Sequence, residues 1–121
     1  ILTGPWDIDS YEGSLSMLRD NLIKALNDDK NNQKYIAILS STYRRLHQPI
    51  QALKLSSDDS INVAVLASRS GAYMDLGEID KADKIARRAW GLSYRIKHSD
   101  LQTKGQNYLS NLFKKIERLR K

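Results

Sequence analysis

The sequence predicts an all-helical domain, and three observations carry that expectation. Only two prolines and six glycines interrupt 121 residues. Apolar residues recur at intervals of three and four. One group of them also returns at a fixed offset: Tyr43, Leu46 and Ala52 reappear as Tyr73, Leu76 and Ala82, 30 residues on. Two helix hairpins on one plan follow from that repeat. A third copy begins with Leu109, Ser110, Phe113 and Ile116, matching Leu39, Ser40, Tyr43 and Leu46, although the step from Tyr73 to Phe113 stretches to 40 residues.

Taken in order, the first helix follows Asp9 and Ser10, either of which can cap an N-terminus, and aligns Tyr11, Leu15, Leu18, Leu22 and Leu26 on one face. The polar cluster from Asp28 to Asn32 ends it. A second helix carries Ile36, Leu39, Tyr43 and Leu46 and stops before Pro49, because the residue ahead of a proline is pushed out of helical geometry. Pro49 suits the first turn of a short third helix with Ile50, Ala52, Leu53 and Leu55, which dissolves in Ser56 to Ser60. The same serines and aspartates can cap a fourth helix from Ile61 to Leu76, with Gly77 as its terminator. A fifth runs from Ile79 to Ile96. After a polar turn at His98 to Asp100, a sixth bears Leu101, Tyr108, Leu109, Leu112, Phe113, Ile116 and Leu119. Trp90 and Tyr94, one turn apart on the fifth helix, are expected to pack on the sixth, and Trp6 to anchor the N-terminal segment.

Residues 1–121 make one domain by length, and the absence of an initiator Met points to a piece of a longer protein. No apolar run is long enough to span a membrane, and no signal peptide opens the chain, so a soluble, cytoplasmic protein is expected. Without cysteine there are no disulfides and no thiolate metal sites. The net charge of +6 is unevenly placed: residues 1–60 sum to −1 and residues 61–121 to +7. Such a bias suits an acidic protein surface, an acidic peptide or a phosphate backbone.

Catalytic chemistry finds no foothold, and the chain is expected not to be an enzyme. No glycine-rich phosphate loop occurs, and His47 and His98 stand far apart at helix ends, where capping explains them better than metal binding. Asp28-Asp29 and Asp58-Asp59 lie in interhelix clusters, which again suggests capping rather than acid and base roles. No cofactor, metal or small-molecule substrate is implied.

The stretch from Ala72 through Tyr73, Leu76, Gly77 and Ala82 to Ala89 resembles a tetratricopeptide repeat, whose motif has an aromatic, then Leu-Gly, then two alanines seven apart. The alanines let two helices approach closely while the glycine permits the turn. Gly13, Leu18, Leu22 and Ala25 fit a lone second helix of the same kind. The resemblance implies antiparallel hairpins stacked as a short right-handed superhelix of about six helices, with Tyr43, Leu76, Ala82 and Ala89 buried; a generic four-helix bundle is the competing architecture. This sequence departs from the motif at Arg69, where a buried leucine is expected, at Ala86, which replaces a large residue, and at Leu46, which no glycine follows. Arg69 must therefore reach solvent or find a carboxylate.

In that family the first helix of each hairpin lines a concave groove. The resemblance places Lys34, Ala37, Ser41, Arg44 and Arg45 there, with Ala64, Ala67, Ser68, Gly71 and Met74, and then Lys104, Asn107, Asn111, Lys114 and Lys115. It implies a scaffold or adaptor module that takes an acidic peptide or partner protein, with room over the small residues for an extended backbone or a helix. The family's clamp for a terminal carboxylate needs lysine and asparagine where Ala37 and Ser41 stand, so that ligand is not expected. The alternative function is non-specific nucleic-acid binding through Arg87, Arg88, Arg95, Arg118 and Arg120 in the basic C-terminal third.

Overall fold

The computed structural model describes residues 8–121, with side chains from residue 13 onward. Trp6 lies outside the described residues, as does the side chain of Tyr11. Six helices pack together: α1 (Ile8–Asp28), α2 (Gln33–Arg45), α3 (Pro49–Leu53), α4 (Val63–Asp75), α5 (Ile79–Ser93) and α6 (Ser99–Arg120). Among the described residues there is no strand.

The 30-residue repeat is written into the backbone. Helices α2 and α4 are each 13 residues long and start behind an asparagine. The Asn32 side-chain oxygen accepts from the Tyr35 amide at 3.0 Å, and that of Asn62 accepts from the Val65 amide at 3.1 Å. Asparagine therefore supplies the caps that were expected from the neighbouring aspartates and serines, and Asp9 and Ser10 fall inside α1 rather than ahead of it. Both helices end in the same doubly bonded turn. The Gln48 amide donates to the Tyr43 carbonyl at 2.8 Å and His47 to Arg44 at 3.0 Å; Glu78 donates to Tyr73 at 2.9 Å and Gly77 to Met74 at 3.0 Å.

That turn needs a left-handed residue, and the first copy supplies it without a glycine. His47 has φ of 61° where Gly77 has 79°. A side chain in this region crowds its own backbone. The variant His47→Gly is expected to gain about 0.5–1 kcal/mol, the relief of strain less the chain entropy glycine adds. A rise in thermal midpoint of about 2–5 °C would register it; an unchanged or lowered midpoint would mean the His47 side chain contributes more than its strain costs.

Helix α4 sits at the centre, touching α2, α3, α5 and α6, whereas α1 packs on α2 alone. Nine consecutive residues of α4, Val65 to Tyr73, are accordingly buried. The main core joins Leu66 and Tyr73 of α4 to Ala82, Ile85, Ala86 and Ala89 of α5 and to Leu109, Leu112 and Ile116 of α6. A smaller core sets Ile36 and Ala37 against Val65. Ala82 and Ala89 are fully buried, as the close approach of two helices requires, and Ala86 is buried beside them, so that a larger residue has no room there. Two residues differ from expectation. Leu76 closes α4 and stays 39% exposed, and Tyr43 is only half-buried.

Arg69 is buried in α4 and reaches a carboxylate rather than solvent. Its Nε donates to Asp58 at 2.8 Å, and its Nη1 donates to the Leu53 and Ser56 carbonyls, both at 2.8 Å. The Tyr73 hydroxyl donates to the same carboxylate at 2.9 Å. The guanidinium thus ties the whole α3–α4 turn to the central helix. Partial burial pushes the Asp58 carboxyl up, but hydrogen bonds from Arg69 and Tyr73, together with the charges of Arg69 and Lys81, outweigh it and hold the group below the usual carboxylate range.

Candidate partner-binding groove

A groove of about 850 Å³ opens along α2, α4 and α6. Its floor is made of small side chains, Ala37 and Ser41 on α2 and Ala64, Ala67 and Ser68 on α4, of which Ala37 and Ala67 stand at equivalent positions of the repeat. The Ser41 and Ser68 hydroxyls bond each other at 3.0 Å across the floor. Apolar side chains stand up around it. Ile61 is 77% exposed, Leu101 57%, Tyr108 45%, Leu18 40% and Ile38 37%, and all five line the groove. Soluble surfaces rarely gather that many exposed large apolar groups in one concavity unless something docks there.

Helix α6 contributes through one of its two faces. Leu109, Leu112 and Ile116 point into the core, whereas Leu101, Lys104, Gly105 and Tyr108 follow a separate stripe at spacings of three and four that faces the groove. Leu101 and Tyr108, which the sequence gives only as part of the apolar set of this helix, belong to this second stripe. Leu119 is likewise exposed, outside the groove.

Three cations ring the cavity, Arg45, Arg95 and Lys104, and no carboxylate lines it. All three are exposed, and none forms an ion pair among the described residues. Their positive field is therefore not cancelled locally.

Of the expected groove residues, Ala37, Ser41, Arg45, Ala64, Ala67, Ser68 and Lys104 come together here. Arg44 does not line the cavity, because it is occupied within the fold. Its Nε donates to Asp75 at 2.8 Å and its Nη1 to the Tyr108 hydroxyl at 3.2 Å, which makes it a strap from α2 to α4 and α6. The guanidinium lies against Gly71, where an added Cβ would push it aside and disturb these bonds. Burial acts to lower the Arg44 pKa, but the hydrogen bond to Asp75 and the charges of Tyr108 and Asp75 raise it above the ordinary arginine value. Met74 packs partly buried against the main core. Lys34, Asn107, Asn111, Lys114 and Lys115 are exposed outside the cavity.

The five arginines of the alternative set are dispersed. Arg95 lies on the groove rim. Arg87 pairs with Asp83 at 3.1 Å, and Arg120 pairs with Asp80 at 2.7 Å and Asp83 at 3.1 Å. Arg88 donates to the Asp59 and Ser60 carbonyls at 3.2 and 3.3 Å. Arg118 donates weakly to the Lys114 carbonyl at 3.5 Å. Trp90 meets Tyr94 and Phe113 edge-on, with centroids 6.1 and 6.2 Å away, so it does pack on α6 while Tyr94 stays exposed.

Sequence reasoning missed Ile38, Ile61, Ile96 and Leu101 as groove residues and assigned Arg95 elsewhere. Ile61 carried a signal that could have been used: Asn62 is the stronger cap, which leaves Ile61 outside the helix and on display. His47 and His98 prove structural, the first in a turn and the second capping the start of α6 by accepting from the Leu101 amide at 3.4 Å. His98 thus caps a helix N-terminus, not the C-terminal position expected of it. No cluster of three or more potential metal ligands occurs among the described residues, and no helix is long and apolar enough to cross a membrane. Comparison with family models, with curated proteins and with solved structures returned no match.

Proposed function

We propose that this domain is a tetratricopeptide-like binding module whose groove along α2, α4 and α6 takes an acidic segment of another protein. One observation carries the reading: an apolar concavity with a small-residue floor, ringed by Arg45, Arg95 and Lys104 and free of carboxylates. The exact 30-residue recurrence of asparagine cap, helix length and terminal turn supports the repeat architecture behind it. Apolar contact supplies affinity, while the unpaired cations select for negative charge and speed encounter. The groove's role is scaffolding: it presents a surface and performs no chemistry.

Fluorescent peptides built from Glu, Asp and Leu test it by anisotropy. Reversing the rim with Arg45→Glu, Arg95→Glu and Lys104→Glu is expected to weaken binding by roughly tenfold or more, since three attractive contacts become repulsive. Reversing Arg87, Arg88, Arg118 and Arg120 is expected to change it little. The opposite order, with tight duplex DNA binding at physiological salt that depends on the C-terminal arginines, would transfer the function to nucleic acid.

A further inference from the structure

The groove supplies no backbone partners, and that decides what shape of ligand fits it. An extended peptide enters a site with every amide and carbonyl of its main chain unpaired, and it binds well only where a strand edge or polar side chains take up those groups. Here the polar side chains of the floor are already engaged. Ser41 bonds Ser68, and Ser68 also reaches the Ala37 carbonyl at 3.5 Å. Thr42 donates to the Ile38 carbonyl at 2.8 Å, and the Asn62 oxygen caps α4. What is left over on the floor, the Asn62 amide group and the Tyr108 hydroxyl hydrogen, amounts to isolated donors and not a ladder, and the further donors of Arg45, Arg95 and Lys104 stand apart on the rim. The lining positions outside helices, Ile61, Asn62, Arg95 and Ile96, form no strand that a peptide could extend.

A helix needs no such partners, because its own main chain is paired internally. Small residues along the floor allow its backbone to come close, as they do between helices of one protein. We infer that the occupant is an amphipathic helix of another protein, with its apolar face on Ile38, Ile61 and Leu101 and carboxylates flanking that face against Arg45, Arg95 and Lys104. The inference rests on the binding reading above and adds the ligand's conformation. Charge complementarity argues for a foreign helix over a second copy of this chain, since the rim is basic and the chain itself carries a net charge of +6.

Two display libraries of peptides about 18 residues long, identical in composition, separate the possibilities. One places Leu at helical spacing (i, i+3, i+4, i+7) with Glu and Asp between. The other alternates Leu with Glu or Asp, a pattern suited to an extended chain. Both are selected on the intact chain, on Ala64→Trp, which fills the groove from an exposed position, and on Ile61→Asp, which adds a negative charge outside any helix. Circular dichroism checks each variant, so that one remains usable if the other unfolds.

The expected result is at least tenfold enrichment of the helical library over the alternating one, lost on both variants. Equal or greater enrichment of the alternating library, also lost on the variants, would leave the groove reading standing and overturn the helix. Enrichment indifferent to Ala64→Trp and Ile61→Asp, or none in either library, would remove the groove reading itself. Sedimentation of the chain alone covers the remaining occupant: a dimer that Ala64→Trp dissociates would put a second copy in the groove and overturn the foreign helix.

Discussion

Replacing Arg69 by leucine is expected to cost about 3 kcal/mol, although leucine is what the surrounding repeat pattern asks for. The equivalent residue one repeat earlier is Leu39, 1% exposed, and Arg69 is 5% exposed. The difference lies in what surrounds them. Arg69 donates to the Leu53 and Ser56 carbonyls and, together with the Tyr73 hydroxyl, to the Asp58 carboxylate. Leucine would leave the two carbonyls without that donor and the Asp58 carboxylate with the Tyr73 hydroxyl but no cation, and half of the Asp58 side chain is shielded from water. Urea denaturation and calorimetry read the loss directly, as a fall of about 10 °C in thermal midpoint. Unchanged stability would mean the turn holds without the guanidinium. The pH dependence supplies a second signature. Because the Asp58 pKa is lowered by folding, its contribution is present above the ordinary carboxylate pKa and is lost as pH falls through the lower folded value. Acid sensitivity from this group is expected to shrink in Arg69→Leu, where the Tyr73 hydrogen bond and the Lys81 charge remain.

The variant Ala82→Leu is expected to lose about 1–3 kcal/mol through overpacking. Ala82 is completely buried between α4 and α5, and the Ser70 hydroxyl donates to its carbonyl at 2.6 Å. Two helices that close leave no space for three added carbons, so the hairpin must part or the side chain must leave its preferred rotamer. Ala82→Gly is the comparison: it removes volume at the same site and costs helix propensity of about 1 kcal/mol. A leucine variant as stable as the parent would show that the hairpin yields easily, and the alanine would then have no packing role.

Helix number and most boundaries could be read from the chain because apolar spacing and the Pro49 and Gly77 signals are local. Burial of Ala82 and Ala89 followed from their position in a recognisable hairpin. The groove was half legible: the resemblance to a tetratricopeptide repeat placed Ala37, Ser41, Ala64, Ala67 and Ser68 there, as well as Arg45 and Lys104. What could not be read was pairing across the fold. Arg44 looked like a free groove cation, and only the folded chain brings Asp75 and Tyr108, 31 and 64 residues away, to its guanidinium. The same limit explains Arg95, which was grouped with the other C-terminal arginines by charge and which the fold sets on the cavity that Leu101 also lines. Leu101 and Tyr108 could not be told from the core residues of α6, because an apolar residue on an amphipathic helix has no label saying which of two apolar stripes it serves.

The Arg44 strap has a mechanical consequence. Helices α2 and α6 form opposite walls of the groove and do not pack on one another, so the bond from Arg44 to the Tyr108 hydroxyl is the sole hydrogen bond between them among the described residues. Releasing such a bond to water costs on the order of 1 kcal/mol, so the distance between the two walls is governed by how each packs on α4 and, for α6, on α5. Tyr108 lines the cavity, so a change inside it reaches α2 through the Arg44 guanidinium as well as through α4.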